Sequence, residues 1–136
     1  MKTLRKMTAN TSTKLSILLL SILIASFTIY QLNQESQDII GIWKSDDTPE
    51  WKLEFKNTGT CFWYYTGEPT KEFTYSIETT TPQCNQNVPI GDKFSYLKLV
   101  DNSNQEQWCY EIFGLDQTGM QIRLLGRSKS MFFTKQ

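Results

Sequence analysis

Three cysteines, Cys61, Cys84 and Cys109, are the most reactive side chains in a sequence of 136 residues that contains no histidine. Without imidazole the chain lacks the side chain best suited to proton transfer near neutral pH and the commonest metal ligand, so catalytic triads and most zinc sites are excluded. The cysteines are 23 and 25 residues apart and include no close pair of the zinc-binding kind. Three cysteines in an exported domain allow one intrachain bridge. Cys84 lies in the polar loop TTTPQCNQN and Cys109 in the run that pairs with the one leaving that loop, so a Cys84–Cys109 bridge is expected. By the chain-entropy model it stabilises the fold by about 3 kcal/mol. Cys61 alternates with Trp63 and Tyr65 and has no adjacent cation to lower its pKa, which makes it a small apolar core residue rather than a nucleophile.

Carboxylates offer little more. Asp46, Asp47 and Glu50 fall in one loop and Asp92 in another, without the calcium-loop pattern or a spacing that would set two carboxylates face to face. They read as solvated charges, and no cofactor, metal or enzymatic reaction is expected. From Asn33 onward ten cations face fourteen acids, a net charge of −4 that excludes nucleic acid as a partner. The aromatic residues are the remaining chemistry. Trp51, Trp63, Tyr75 and Trp108 are the candidates for lining a pocket for a small apolar ligand, since such rings give apolar walls with a polar handle. The competing reading is that these rings simply fill a core.

The elements that must position them are short. Eight runs rich in β-branched and aromatic residues are separated by turn residues: 39–44, 51–56, 60–66, 72–78, 94–100, 106–113, 120–125 and 130–135. In WKLEFK, Trp51, Leu53 and Phe55 share one face and Lys52, Glu54 and Lys56 the other; Phe73, Tyr75 and Ile77 alternate with polar neighbours in the same way. Apart from the loop 79–92, the links are too short for parallel crossovers. An antiparallel meander of eight strands can close on itself and so remove its edges, which predicts an all-β, eight-stranded antiparallel up-and-down barrel over 39–136.

The N-terminal part differs in kind. Residues 1–14 carry Lys2, Arg5, Lys6 and Lys14 and no acid; residues 15–32, LSILLLSILIASFTIYQL, carry no charge; residues 33–38, NQESQD, read as a polar linker. A bilayer core needs about 20 apolar residues with a lower limit near 17, so 15–32 is expected to form one transmembrane helix, and the upstream cations place the C-terminal domain on the non-cytoplasmic side. A cleaved signal peptide, giving a secreted or periplasmic domain, is the alternative. The bulky Ile22, Leu23 and Ile24 three residues before the plausible cuts favour a retained signal anchor.

Gly41-Ile42-Trp43 on the first run, an eight-strand meander and a late arginine resemble the lipocalin, or calycin, arrangement, and in particular the small lipocalin-like domains of bacterial envelope proteins, over residues 39–135. The resemblance implies that Trp43 lies at the closed end of the barrel with Arg127, or alternatively Arg123, packed over it as a closing strut. The chain is shorter than full lipocalins and lacks their lid loop after the first strand and their C-terminal helix, features that help form a deep cup. Two functions are therefore expected to compete: a membrane-tethered module binding a small apolar ligand, and an envelope structural or protein-interaction domain with a filled barrel.

Overall fold

The computed structural model describes residues 20–22, 24–26, 30 and 34–136. The chain divides into two compact units, Met1–Gln31 and Leu32–Gln136. In the first, the described residues are helical and Leu20, Ile22 and Ile24 are exposed. The expected span 15–32 falls largely outside the described residues, and among these no helix is long and apolar enough to cross a membrane.

The second unit is a barrel closed by eight antiparallel strands in sequence order: β1 (Gly41–Ser45), β2 (Trp51–Phe55), β3 (Thr60–Tyr65), β4 (Lys71–Glu78), β5 (Ser95–Asp101), β6 (Gln107–Leu115), β7 (Gly119–Leu124) and β8 (Met131–Lys135). Closure comes from β1 pairing with β8, with Trp43 opposite Lys135 and Ser45 opposite Phe133. Each strand lies within two residues of its expected run. One two-residue difference has a physical cause: β6 continues through Gly114 and Leu115 because a register shift between Ile112 and Gly114 absorbs a residue. That irregularity leaves Phe113 exposed on the outer wall.

An eight-stranded barrel is only wide enough for its own side chains or one small ligand. Here the alternating inward residues fill most of it: Trp43, Leu53, Phe55, Cys61, Phe73, Leu97, Leu99, Ile122 and Phe133 are all at most 1 % exposed. One end is plugged. Within the expected polar linker 33–38, residues 34–38 form a helical turn that delivers Ile39, fully buried, into the base of the barrel. Trp43 Nε1 donates to the Ile39 carbonyl at 2.6 Å and Lys135 Nζ to the Asp38 carbonyl at 2.8 Å. Gly41 opens β1 at φ +136°, and a β-carbon there would stand 2.7 Å from Lys135 Cε, so both backbone and space select glycine.

The long loop 79–94 does not hang free. It folds over the outer face of β5 and β6, where the Cys84–Cys109 disulfide fastens it, as the sequence predicts. Tyr96, beneath this strap, and Gln83, within it, are each 1 % exposed. Tyr96 donates its hydroxyl to the Pro89 carbonyl at 2.7 Å, and Gln83 Nε2 donates to Glu78 at 2.9 Å and to the Thr80 carbonyl at 2.8 Å. Outward residues of a sheet normally face water; Tyr96 on β5 and Cys109 on β6 are buried because the strap covers them.

Candidate functional site

The end of the barrel opposite the Ile39 plug is unplugged. There the start of β2, the end of β3 and the start of β6 bring Trp51, Trp63 and Trp108 together, because inward positions on neighbouring antiparallel strands lie opposite or diagonal to one another. Trp51 and Trp63 stack at 4.6 Å between ring centres, and Trp108 meets Trp63 edge-on at 5.2 Å. Phe133 packs edge-on against Trp51 at 4.9 Å and Phe73 lies 5.5 Å from Trp108, so the indoles rest on the buried core.

The three tryptophans, with Tyr110, Leu124 and Met131, line a cavity of about 410 Å³ that opens to solvent and is also bordered by Arg127 and Lys129. The volume falls in the ordinary range for small-molecule sites, and the lining is apolar apart from the rim, as such sites generally are. A somewhat larger hollow of about 480 Å³ lies over Thr70–Glu72 and Asp101–Asn104, but its walls are polar turn residues and it gives a ligand little apolar surface. The tryptophan mouth is the better candidate on chemistry rather than on size.

Two features of the mouth bear on binding. Trp51 Nε1 is buried without a hydrogen-bond partner among the described residues, an arrangement that costs about 1–3 kcal/mol and that stable cores avoid. The Arg127 guanidinium likewise has no side-chain hydrogen bond or ion pair among the described residues, whereas Lys129 stands 3.6 Å from Asp47. The strap reaches this rim from outside: the Gln86 amide lies 3.8 Å from where a side chain at Gly126 would begin. Cys109, its anchor, sits between Trp108 and Tyr110 in the sequence of β6 but on the opposite face.

Of the expected ligand residues, Trp51, Trp63 and Trp108 meet at this cavity and Tyr75 does not. Tyr75 lies toward the plugged end, edge-on to Phe55 at 5.0 Å, and donates its hydroxyl to the Lys56 carbonyl at 2.8 Å. Its alternation face was legible, but its height in the barrel depends on strand stagger, which one strand's sequence does not carry. The strut over Trp43 is also different from the expected one. Lys135 places its Nζ 5.0 Å from the centre of the Trp43 ring, while Arg127 sits at the other end on the rim of the cavity and Arg123 pairs with Glu111 at 2.7 Å. Lys135 was missed because it is the last strand residue, and only the β1–β8 register puts it opposite Trp43.

Other reactive groups are occupied or inert. Burial raises the Cys61 thiol far above the ordinary range, with the nearby Glu54 charge adding to the effect, so it is not a nucleophile at neutral pH. Glu54 accepts hydrogen bonds from Lys56 and from the Tyr64 hydroxyl, which hold its carboxyl below the usual value; the same bond, with partial burial, pushes the Tyr64 phenol up to about 12. Among the described residues no group of three potential metal ligands converges.

The architecture is thus that of a closed, eight-stranded, up-and-down barrel with one sealed end and one aromatic mouth. Comparison with known proteins gives no match, whether to family models, to curated proteins or to solved structures.

Proposed function

We propose that the chain is a membrane-tethered, lipocalin-like binding module that holds a small apolar molecule in the tryptophan-lined mouth of its barrel. The observation that carries the reading is the cavity of about 410 Å³ walled by Trp51, Trp63 and Trp108 above a filled core. The unpartnered indole donor of Trp51 supports it, since polar groups left unsatisfied in an otherwise well-packed domain concentrate where function constrains the residues. The Gly41-Ile42-Trp43 opening and the order of the meander support the lipocalin-like relationship. The uncharged run 15–32 behind a basic N-terminus supports a signal anchor with the barrel on the non-cytoplasmic side.

A second reading is favoured by one observation. Ile42, Phe113 and Phe132 are each more than 40 % exposed on the outer wall, surface that an envelope structural or interaction domain would use. Native mass spectrometry of the full chain, released from detergent micelles after purification under oxidising conditions, separates the two. A reproducible extra small-molecule mass that disappears on denaturation, and that Trp63→Ala abolishes, is expected for the binding module. A bare polypeptide mass, or an adduct untouched by Trp63→Ala, would overturn it in favour of the outer wall.

A further inference from the structure

We infer that the ligand of the tryptophan mouth is a compact aromatic anion: one ring system seated among the indoles, with an acidic group at the rim. The inference rests on the binding-module reading and deepens it. Three features of the mouth lead to it, concerning charge, depth and wall chemistry.

The charge at the mouth runs against the charge of the domain. The exported part carries a net −4, yet the lining of the cavity includes Arg127 and Lys129 and no carboxylate; Lys129 is paired from outside with Asp47, which leaves Arg127 as the free charge. Lys71 holds its Nζ 5.9 Å from the centre of the Trp108 ring but lines the neighbouring polar hollow beside Glu72 and Asp101, so it adds nothing to the mouth's free charge. Arg127 is unpaired among the described residues, although carboxylates outnumber cations on this domain by four. Its planar fork matches a carboxylate or sulfonate in two parallel hydrogen bonds.

The depth sets the size of the apolar part. Directly beneath the indoles stand Phe73 and Phe133, each at most 1 % exposed, and below them Leu53 and Phe55 are equally sealed. Nothing in this packing leaves a channel for an extended acyl chain. What the cavity offers is breadth, with a stacked pair and an edge-on third ring against which a flat apolar body can lie offset or edge-to-face.

The test uses 2-naphthoate, its neutral counterpart 2-naphthamide, and hexadecanoate, each titrated into the full chain in a neutral detergent and followed by tryptophan emission. Arg127→Gln and Lys129→Gln are measured in the same detergent, so that partition into micelles cancels. Both substitutions fall on the exposed β7–β8 turn, and circular dichroism confirms that each variant is folded. Naphthoate is expected to bind about tenfold more tightly than naphthamide, a preference that added salt reduces. Arg127→Gln is expected to remove most of that preference by weakening naphthoate far more than naphthamide, and hexadecanoate to bind more weakly than naphthoate. Equal affinity for the two naphthalenes, or a preference that survives both variants, would overturn the anionic part alone. Tighter binding of hexadecanoate would overturn the compact part. Failure of every probe would overturn the binding module itself.

Discussion

Lys135 holds its ammonium 5.0 Å from the centre of the Trp43 ring while donating to the Asp38 carbonyl, so one side chain of the last strand clamps both the first strand and the turn that feeds it. A cation over an indole contributes about 0.5–2 kcal/mol and a hydrogen bond from a charged donor about 1.5–3. Lys135→Met, which keeps the stem over the ring and loses the charge, is therefore expected to cost roughly 1–3 kcal/mol. Urea unfolding should show a lower midpoint with an unchanged slope. A variant as stable as the parent would mean that the plug at Ile39 holds without the clamp.

At the other end, the orphaned donor of Trp51 makes an unusual stability forecast possible. Trp51→Phe removes a buried N–H without a partner, which returns about 1–3 kcal/mol and offsets the apolar surface lost with the larger ring. Its unfolding free energy should stay within about 1 kcal/mol of the parent. Trp63→Phe, which weakens contacts to both Trp51 and Trp108, should cost roughly 1–2 kcal/mol. A loss above about 2 kcal/mol for Trp51→Phe would show that its nitrogen is satisfied in solution.

The disulfide and the free thiol give a paired expectation. The bridge closes a loop of 25 residues, so replacing Cys84 and Cys109 together by serine should cost about 2–4 kcal/mol. Cys61, buried and with its thiol titration displaced upward, should resist a thiol reagent at pH 8 until the barrel unfolds. Rapid labelling of one thiol in the native parent would contradict the packing described for β3.

Acid sensitivity should centre on the strap. The hydrogen bond from Gln83 holds the Glu78 carboxyl below its ordinary value of 4.5; burial opposes it, and lesser effects of the Ser76 hydrogen bond and the Lys98 charge add to it. A carboxylate depressed on folding contributes stability that is complete above the unfolded value and disappears as the pH falls through the folded one. Gln83→Leu should raise the Glu78 titration, read by carbon-detected NMR, and the stability gap between parent and variant should narrow on going from pH 7 to below pH 4. An unshifted Glu78 curve in the variant would assign the depression to another partner.

The fold was largely legible because two-residue alternation and turn residues are local signals. WKLEFK and EFTYSIE declare their inner faces without reference to any partner, and the pairing of Cys84 with Cys109 followed from which run must lie beside the long loop. What failed depended on distance across the barrel. Tyr75 shares a face type with Trp108 but sits at another height, and Lys135 meets Trp43 only because the ends of the sheet join. Gathering three indoles at one mouth is likewise a property of stagger, so the sequence supplied the candidates and the tertiary fold selected among them.

The seam between β1 and β8 sets the order in which this barrel can be completed. Trp43 and Lys135 stand opposite one another across this seam, yet almost a whole domain apart along the chain. The other strand pairings link sequence neighbours and can zip one hairpin at a time, whereas the last one raises the contact order and must await β8. A nascent chain that still lacks this strand exposes two raw edges, on β1 and on β7, and an unsealed interior. The interval before β8 arrives is when the chain is open to mispairing with its own copies, and when a chaperone would have most to shield.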